Sequence, residues 1–273
     1  MARTRLDALL VDRGLFASRS RAAAAIMAGE VRLGGHGDVA RKPGQMVAPD
    51  AEAAVSGGPP YVSRGGIKLA NGLDALGVDP SGRRCLDVGA STGGFTDCLL
   101  QRGAAHVAAV DVGYGELDWG LRGDARVTVL ERRNARRLAC AELPYRADLA
   151  VLDLSFISLE KVLGAVTACL AERFDCLALV KPQFELGRGR VGKGGVVRSA
   201  AERREALLTV AQAGRALGSA VMGFASSGLP GPAGNRESFL WLAEGARAGA
   251  LEDLEAAALE VEPLEPAATG ATA

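Results

Sequence analysis

Over the first fifty residues, apolar positions recur at helical spacing and then stop. Leu6, Leu9 and Leu10 in RLDALLVDRG mark one face of a short helix, and Gly14 ends it. Ser18 stands where it can cap a second helix, SRSRAAAAIMAG, which runs out at Gly29. VRLGG and MVAP read as short strands set off by Gly, Pro and polar residues. SGGPP at 56–60 resists regular structure, so the pattern predicts a small α+β domain over 1–55, a linker over 56–62 and a larger domain over 63–250.

From Cys85 the pattern changes. CLDVGA, HVAAVDV, RVTVLE, DLAVLDLSF and CLALVKPQF are short continuous apolar runs, with helix-like stretches between several of them. That is the pattern of a parallel sheet covered on both faces, hence an α/β fold. Ligands of such sheets gather beyond the carboxyl ends of the strands. Asp87, Asp111, Glu131, Asp153 and Lys181 close these runs and so predict a site.

The sharpest local signal is LDVGASTGGFTDCLL, residues 86–100: a strand ending at Val88, a turn, and a helix beginning near Gly94. Gly89, Gly93 and Gly94 let backbone approach a ligand, and the helix start offers unbonded N–H groups. The turn is not GxGxxG, which disfavours a dinucleotide and a dehydrogenase and favours another adenosine-bearing cofactor. Asp111 follows Gly94 by 17 residues and closes the next run, where a carboxylate can accept ribose hydroxyls. The cofactor-binding candidates are Asp87, Gly89, Ser91, Thr92, Gly93, Gly94, Asp111, Asn134 and Asp153.

Composition narrows the class. Of the 273 residues 48% are apolar and 23% charged, ordinary for a globular chain, with only 4% aromatic, so the core is built of Ala, Leu and Val. No run approaches the ~18 apolar residues of a membrane span, and the charges in MARTRLDALLVDRG sit where a signal peptide needs an apolar centre. A cytoplasmic protein is expected. Five cysteines without a CxxC predict reduced thiols, no disulfide and no metal site. The net charge is zero, yet residues 251–273 carry six acids and no base, leaving 32 basic against 26 acidic side chains in the first 250. A basic body with an acidic tail, ordered only at its start, is predicted, and the body suits a polyanion.

YVSRGGIKL, LDVGASTGGFTD, VDVGYGEL, LERRNAR, LDLSFISL, LVKPQFE and GPAGNRESFLWL occur in this order. The chain thereby resembles the TlyA (hemolysin A) family of rRNA methyltransferases, from about Arg5 to about Leu242. The resemblance implies a small α+β S4-like RNA-binding domain joined to an FtsJ-like domain of the Rossmann-like S-adenosylmethionine-dependent methyltransferase fold. It implies methyl transfer to the 2′-hydroxyl of cytidine in ribosomal RNA, of the large subunit or of both. It further implies a Lys-Asp-Lys-Glu tetrad, which by motif position is Lys68, Asp153, Lys181 and Glu237. A ribose hydroxyl must lose its proton as it attacks a sulfonium methyl; a positioned Lys can orient the oxygen and accept that proton. Lys181, closing an apolar run, is expected nearest the reacting oxygen, with Asp153 and Glu237 holding the two lysines.

Basic residues complete the reading. Eight Lys and Arg face five acids over residues 1–50, and Arg5, Arg19 and Arg21 are candidates for RNA contact. Arg132, Arg133, Arg136 and Arg137 crowd Asn134, with Arg133 and Arg136 proposed for phosphate. GRGRVGKGGVVR at 187–198 reads as a mobile basic loop, with Arg188, Arg190 and Lys193 clamping the RNA backbone. His36 and His106 are bystanders. No Pro-Cys pair exists for C5 methylation and no [ND]PP[YF] motif for amino methylation; the one catalytic-type RLD, at 5–7, lies in the small domain, which disfavours a pseudouridine synthase. The remaining alternatives are a membrane-active hemolysin, for which no inserting segment is found, and an RNA-binding protein without methyltransferase activity. The expected partner is ribosomal RNA in a ribosomal subunit, and the expected state is a monomer.

Overall fold

The apolar face of the first helix forms the heart of a small amino-terminal unit. In this computed structural model, which describes residues 3–16, 18–27, 29–34, 38–55, 60–192 and 194–262, the chain divides into units of residues 1–60 and 61–273. The first holds β1 (Thr4–Arg5), α1 (Leu6–Asp12), α2 (Arg19–Met27), β2 (Val31–Leu33), β3 (Asp38–Val39), β4 (Met46–Val47) and β5 (Ala53–Val55). Leu6, Leu10, Ile26 and Val31 are fully buried. The Ser18 hydroxyl accepts the Arg21 N–H at 3.3 Å, the expected cap of α2. β2 pairs antiparallel with β3 and β5, and β1 with β4. These pairs of two or three residues lack the length for a readable alternation. Most of the expected linker, residues 56–59, lies outside the described residues.

The second unit begins with α3 (Arg64–Leu76) and alternates β6 (Arg84–Val88), α4 (Gly94–Gln101), β7 (His106–Val110), α5 (Trp119–Arg122), β8 (Val127–Leu130), β9 (Ala147–Leu152), α6 (Leu163–Thr167), β10 (Leu170–Val180), α7 (Pro182–Glu185) and α8 (Ala200–Ala216). It closes with β11 (Ser219–Ser226), β12 (Ser238–Glu244) and α9 (Leu254–Val261). The seven strands are ordered β11-β12-β10-β9-β6-β7-β8. β10, β9, β6, β7 and β8 are mutually parallel, as the apolar runs predict. β12 corrects the all-parallel expectation: it runs antiparallel to both β10 and β11.

Alternate residues of each strand point into two cores. Leu86, Val88, Ala108, Val110, Ala150 and Leu152 pack under α6, α8 and α9. Cys85, Val107, Ala109, Leu149 and Val151 pack under α3 and α4. Gly72 of α3 is required here, since a Cβ would fall 2.6 Å from the ring of buried Phe239.

The chain leaves β6 toward β7 and β8, then crosses back to β9 on the other side of β6. A crevice opens at such a reversal. Past β12, α9 lies on the sheet's helical layer with Leu254 and Ala258 buried, and the buried Glu262 carboxylate meets Arg203 of α8 at 2.8 Å. The packed body therefore extends to Glu262, beyond the boundary at 250 that charge alone suggests.

Candidate active site

At the carboxyl end of β6 the chain turns sharply over Val110. The Gly89 and Ala90 N–H groups both donate to the Val110 carbonyl, at 2.8 and 3.1 Å. Gly89 has φ +89°, and a Cβ there would sit 2.4 Å from the Asp153 carbonyl oxygen. Only glycine lets the two strand ends come so close. Ser91 also adopts a left-handed backbone, φ +47°, held because its N–H donates to Asp111 Oδ2 at 2.8 Å. Gly93 precedes α4 at φ +96°, packed behind the turn against Leu117 and Leu121. Asp111 Oδ1 accepts the Gly113 N–H at 2.7 Å, and each of its oxygens keeps a free lone pair.

Around this turn lies a cleft of about 1100 Å³, lined by Gly89, Ser91, Asp111, Asn134 and Asp153 among others. A hollow of about 430 Å³ shares Gly89, Ser91, Asp153 and Ser155 with it and is further lined by Lys68, Thr92, Gly94 and Lys181. Two ion pairs bound the hollow. Lys181 Nζ, beyond β10, lies 2.5 Å from Asp153 Oδ1 beyond β9 and donates to Ser155 Oγ at 3.1 Å. Lys68 Nζ, from α3, donates to Glu237 Oε2 at 2.5 Å, and both side chains are buried. Gly231 makes room for that carboxylate, since a Cβ would stand 2.3 Å from Glu237 Oε1. Four residues scattered between positions 68 and 237 thus meet in two Lys–carboxylate pairs beside the glycine turn.

Residues 61–244 match the family model of the FtsJ-like methyltransferases, and residues 4–52 that of the S4 domain. A 16S/23S rRNA (cytidine-2′-O)-methyltransferase TlyA of Mycobacterium tuberculosis is 51% identical over 248 residues, 88% of this chain and 90% of its own length. The chain belongs to the TlyA family of FtsJ-like methyltransferases. Hemolysin A of Brachyspira hyodysenteriae is 40% identical over 198 residues, 71% of this chain and 80% of that protein. A solved Streptococcus thermophilus structure carrying the hemolysin name superposes with TM-score 0.72 at 36% identity, covering 95% of this chain and 96% of that one.

Against the TlyA family pattern, the other candidate residues fall into different places. Asn134 lines the cleft and caps the short turn Ala135–Arg137, its Oδ1 accepting the Arg136 N–H at 3.0 Å. Arg133 and Arg136 line the same lip, Arg133 lying 3.3 Å from Glu142. Asp87 is a correction: it does not line the cleft but is fully buried beneath the turn, where Thr96 Oγ1 donates to it at 2.7 Å. Burial pushes its carboxyl up to about 7, against the pull of the Thr96 bond and aided by the charges of Asp153 and Asp111. Arg190 is bound to Glu205, at 2.7 Å through Nη2, and lies 3.7 Å from Glu202, on α8. Arg188 is placed only in its backbone, in the turn Arg188–Arg190, and Lys193 lies outside the described residues.

In the amino-terminal unit, Arg5 and Arg19 both contact the buried Asp7, at 2.8 and 3.3 Å, while about half of each side chain stays exposed. The Arg5 bond, aided by Arg19, holds the Asp7 carboxyl down at about 2. Arg21 is exposed.

Sequence reading missed Ser155, the hydroxyl on Lys181; Phe156, 92% exposed at φ +65° on the cleft wall, its ring 5.2 Å from that of Phe184; and Gln183 and Glu185 below them. Burial raises the Glu185 carboxyl, opposed by the Leu159 N–H it accepts. The missed residues stand in LDLSFISL and LVKPQFE, and a large apolar side chain after a strand-closing Asp was the available signal for Phe156.

Proposed function

We propose that this chain transfers the methyl group of S-adenosylmethionine to the 2′-hydroxyl of a cytidine in ribosomal RNA, through Lys68, Asp153, Lys181 and Glu237. The observation that carries the reading is that Lys68 and Lys181, each paired with a carboxylate, line one hollow that shares Gly89, Ser91, Asp153 and Ser155 with the glycine-turn cleft. The cleft's donors suit the cofactor: bare backbone at Gly89, an acceptor at Asp111 for the ribose hydroxyls, and the Asn134 amide for the adenine edge. When bound, the cofactor supplies an electrophilic methyl carbon on a positive sulfur.

The remaining work belongs to the chain. Lys181, held between Asp153 and Ser155, orients the 2′-oxygen and in its neutral form takes the proton that oxygen releases. Lys68 is fixed by a fully buried carboxylate and supplies a second, immobile donor to the same hollow. Alignment of oxygen, carbon and sulfur accounts for much of the expected rate. Phe156 offers an exposed face on which a base can stack, and Arg133, Arg136 and the Arg5–Arg19–Arg21 surface supply cations for RNA phosphate. The 51%-identical TlyA relative, named for 16S and 23S rRNA, supports cytidine and one or both subunits as the target. Such a substrate is met in the cytoplasm, and a monomer suffices for this site.

No helix among the described residues is long and apolar enough to cross a membrane, and no metal-holding group of three or more His, Cys, Asp or Glu occurs among them. The test is methyl transfer from tritiated S-adenosylmethionine to unmethylated 30S or 50S subunits, with wild-type and Lys181→Ala protein. Alkali-stable label at a single cytidine, lost with the variant, is the expected result. Cofactor binding without label on either subunit overturns it and restores the RNA-binding-protein reading.

A further inference from the structure

Two of the five cysteines, 29 residues apart in the chain, are brought together beside the amino end of β10. Cys140 Sγ lies 2.7 Å from Cys169 Sγ, inside the contact distance of two thiol sulfurs, and 3.1 Å from the Ala168 carbonyl oxygen. Cys169 is buried just before β10, whereas Cys140 is partly exposed at the start of the short turn Cys140–Glu142. The Arg146 guanidinium flanks the pair, donating to the Ala168 and Leu170 carbonyls at 2.7 and 3.0 Å. We propose that Cys140 and Cys169 form a dithiol modification site, which a small-molecule disulfide closes into an intramolecular disulfide.

The roles follow from access. Cys140, partly exposed, presents the attacking sulfur; Cys169, buried, waits behind it as the resolving thiol. Burial pushes the Cys169 thiol up to about 12, with the neighbouring Cys140 adding to the effect. The other three cysteines are poor competitors: burial raises Cys85 and Cys176 to about 12 and Cys98 to about 11.

In the first step the Cys140 thiolate attacks one sulfur of RSSR, a Cys140–SR bond forms and RS⁻ leaves, taking up the proton that Cys140 released. In the second, Cys169 gives up its proton and its sulfur attacks Cys140 Sγ. The Cys140–SR bond breaks and a second RSH departs. The protein loses two hydrogens, and RSSR is reduced to two RSH. The bridge would tie the start of β10 to the turn whose Glu142 holds Arg133 at the cleft lip. This inference does not depend on the methyl-transfer reading.

Oxidised glutathione and the folded full-length chain provide the test. Trypsin places Cys140 in the peptide 138–146 and Cys169 in 162–173, each the sole cysteine of its peptide. In wild type, titratable thiols are expected to fall from five to three, with those two peptides joined, two hydrogens lighter than their sum and separated again by reductant. Cys169→Ser should instead retain one glutathionyl group on Cys140, and Cys140→Ser should acquire neither modification. Five persisting thiols, a stable glutathionyl group on Cys140 of wild type, or a different linkage overturns the proposal. Should Cys169→Ser fail to fold, the wild-type peptide map decides alone.

Discussion

Lys68 and Glu237 are separated by 169 residues, yet each is buried and each is the other's charge partner at 2.5 Å. A buried pair contributes little net stability, but breaking one leaves an uncompensated charge and costs about 3–5 kcal/mol. Glu237→Ala should therefore lower the urea midpoint strongly and abolish methyl transfer. Lys68→Met with Glu237→Leu should regain most of the stability and none of the activity. A double variant as unstable as the single one would mean that the pair is not an isolated charge couple. Gly89 makes a sharper test of the turn. A Cβ would press on the Asp153 carbonyl at 2.4 Å, in a backbone region that disfavours side chains. Gly89→Ala should cost at least tenfold in S-adenosylmethionine affinity by calorimetry; unchanged affinity would place the cofactor elsewhere. Asp153, Lys181 and Gly89 are legible because they stand where apolar runs end, whereas Lys68 and Glu237 are reached only through the family resemblance. Their pairing is not legible, because the reading gives no distance between α3 and the residue before β12. The thiol contact of Cys140 and Cys169 was hidden for the same reason.

At the scale of elements, the joint between β6 and α4 carries an electrostatic load below the turn. Thr96 satisfies one oxygen of Asp87, but Oδ1 is buried without a hydrogen-bond partner. With the carboxyl raised from 3.8 to about 7 by burial, the native state holds a proton between those values that the unfolded chain has released. Stability contributed by this site is thus fully present below about pH 4 and is lost as pH rises toward and through 7. Asp87→Asn keeps an acceptor for Thr96 and removes the charge. Its melting temperature relative to wild type should rise from pH 5 to pH 8, and a difference independent of pH would show that Asp87 ionises normally. The same joint shows what patterning can read. β6 to β10 each carry a continuous apolar run because both faces are covered, so their runs announce them. β11 contains Gly223 and a register shift between Val221 and Gly223, and the Glu237 that precedes SFLWLAE of β12 reads equally well as part of a capping turn. Neither carries the direction of its pairing in its composition.

At the scale of the whole molecule, net charge does not mark where the packed body ends. Six acids and no base after residue 250 suggest a solvated tail, yet one of them, Glu262, is 4% exposed and meets Arg203, itself 8% exposed, at 2.8 Å. Asp253 caps α9 by accepting the Ala256 N–H at 3.0 Å, and Leu254 and Ala258 bury its inner face. A net count cannot tell a repelling acid from one that answers a buried guanidinium on another element. The same Arg203 reaches the Arg198 carbonyl, and Asn235 ties the Gly195 carbonyl and the Val197 N–H at 2.8 Å each. The final helix is thus connected, through α8 and the segment after the basic loop, to the loop that delivers Glu237. Ending the chain at Asp253 would expose a buried Leu face, worth about 1.5–3 kcal/mol, and strand Arg203 without its carboxylate. Such a protein should unfold several kcal/mol more easily than the full-length chain. Arg203→Met in the shortened chain should recover part of the loss by removing the stranded charge. Melting equal to that of the full-length chain would return α9 to the status that its charge suggests.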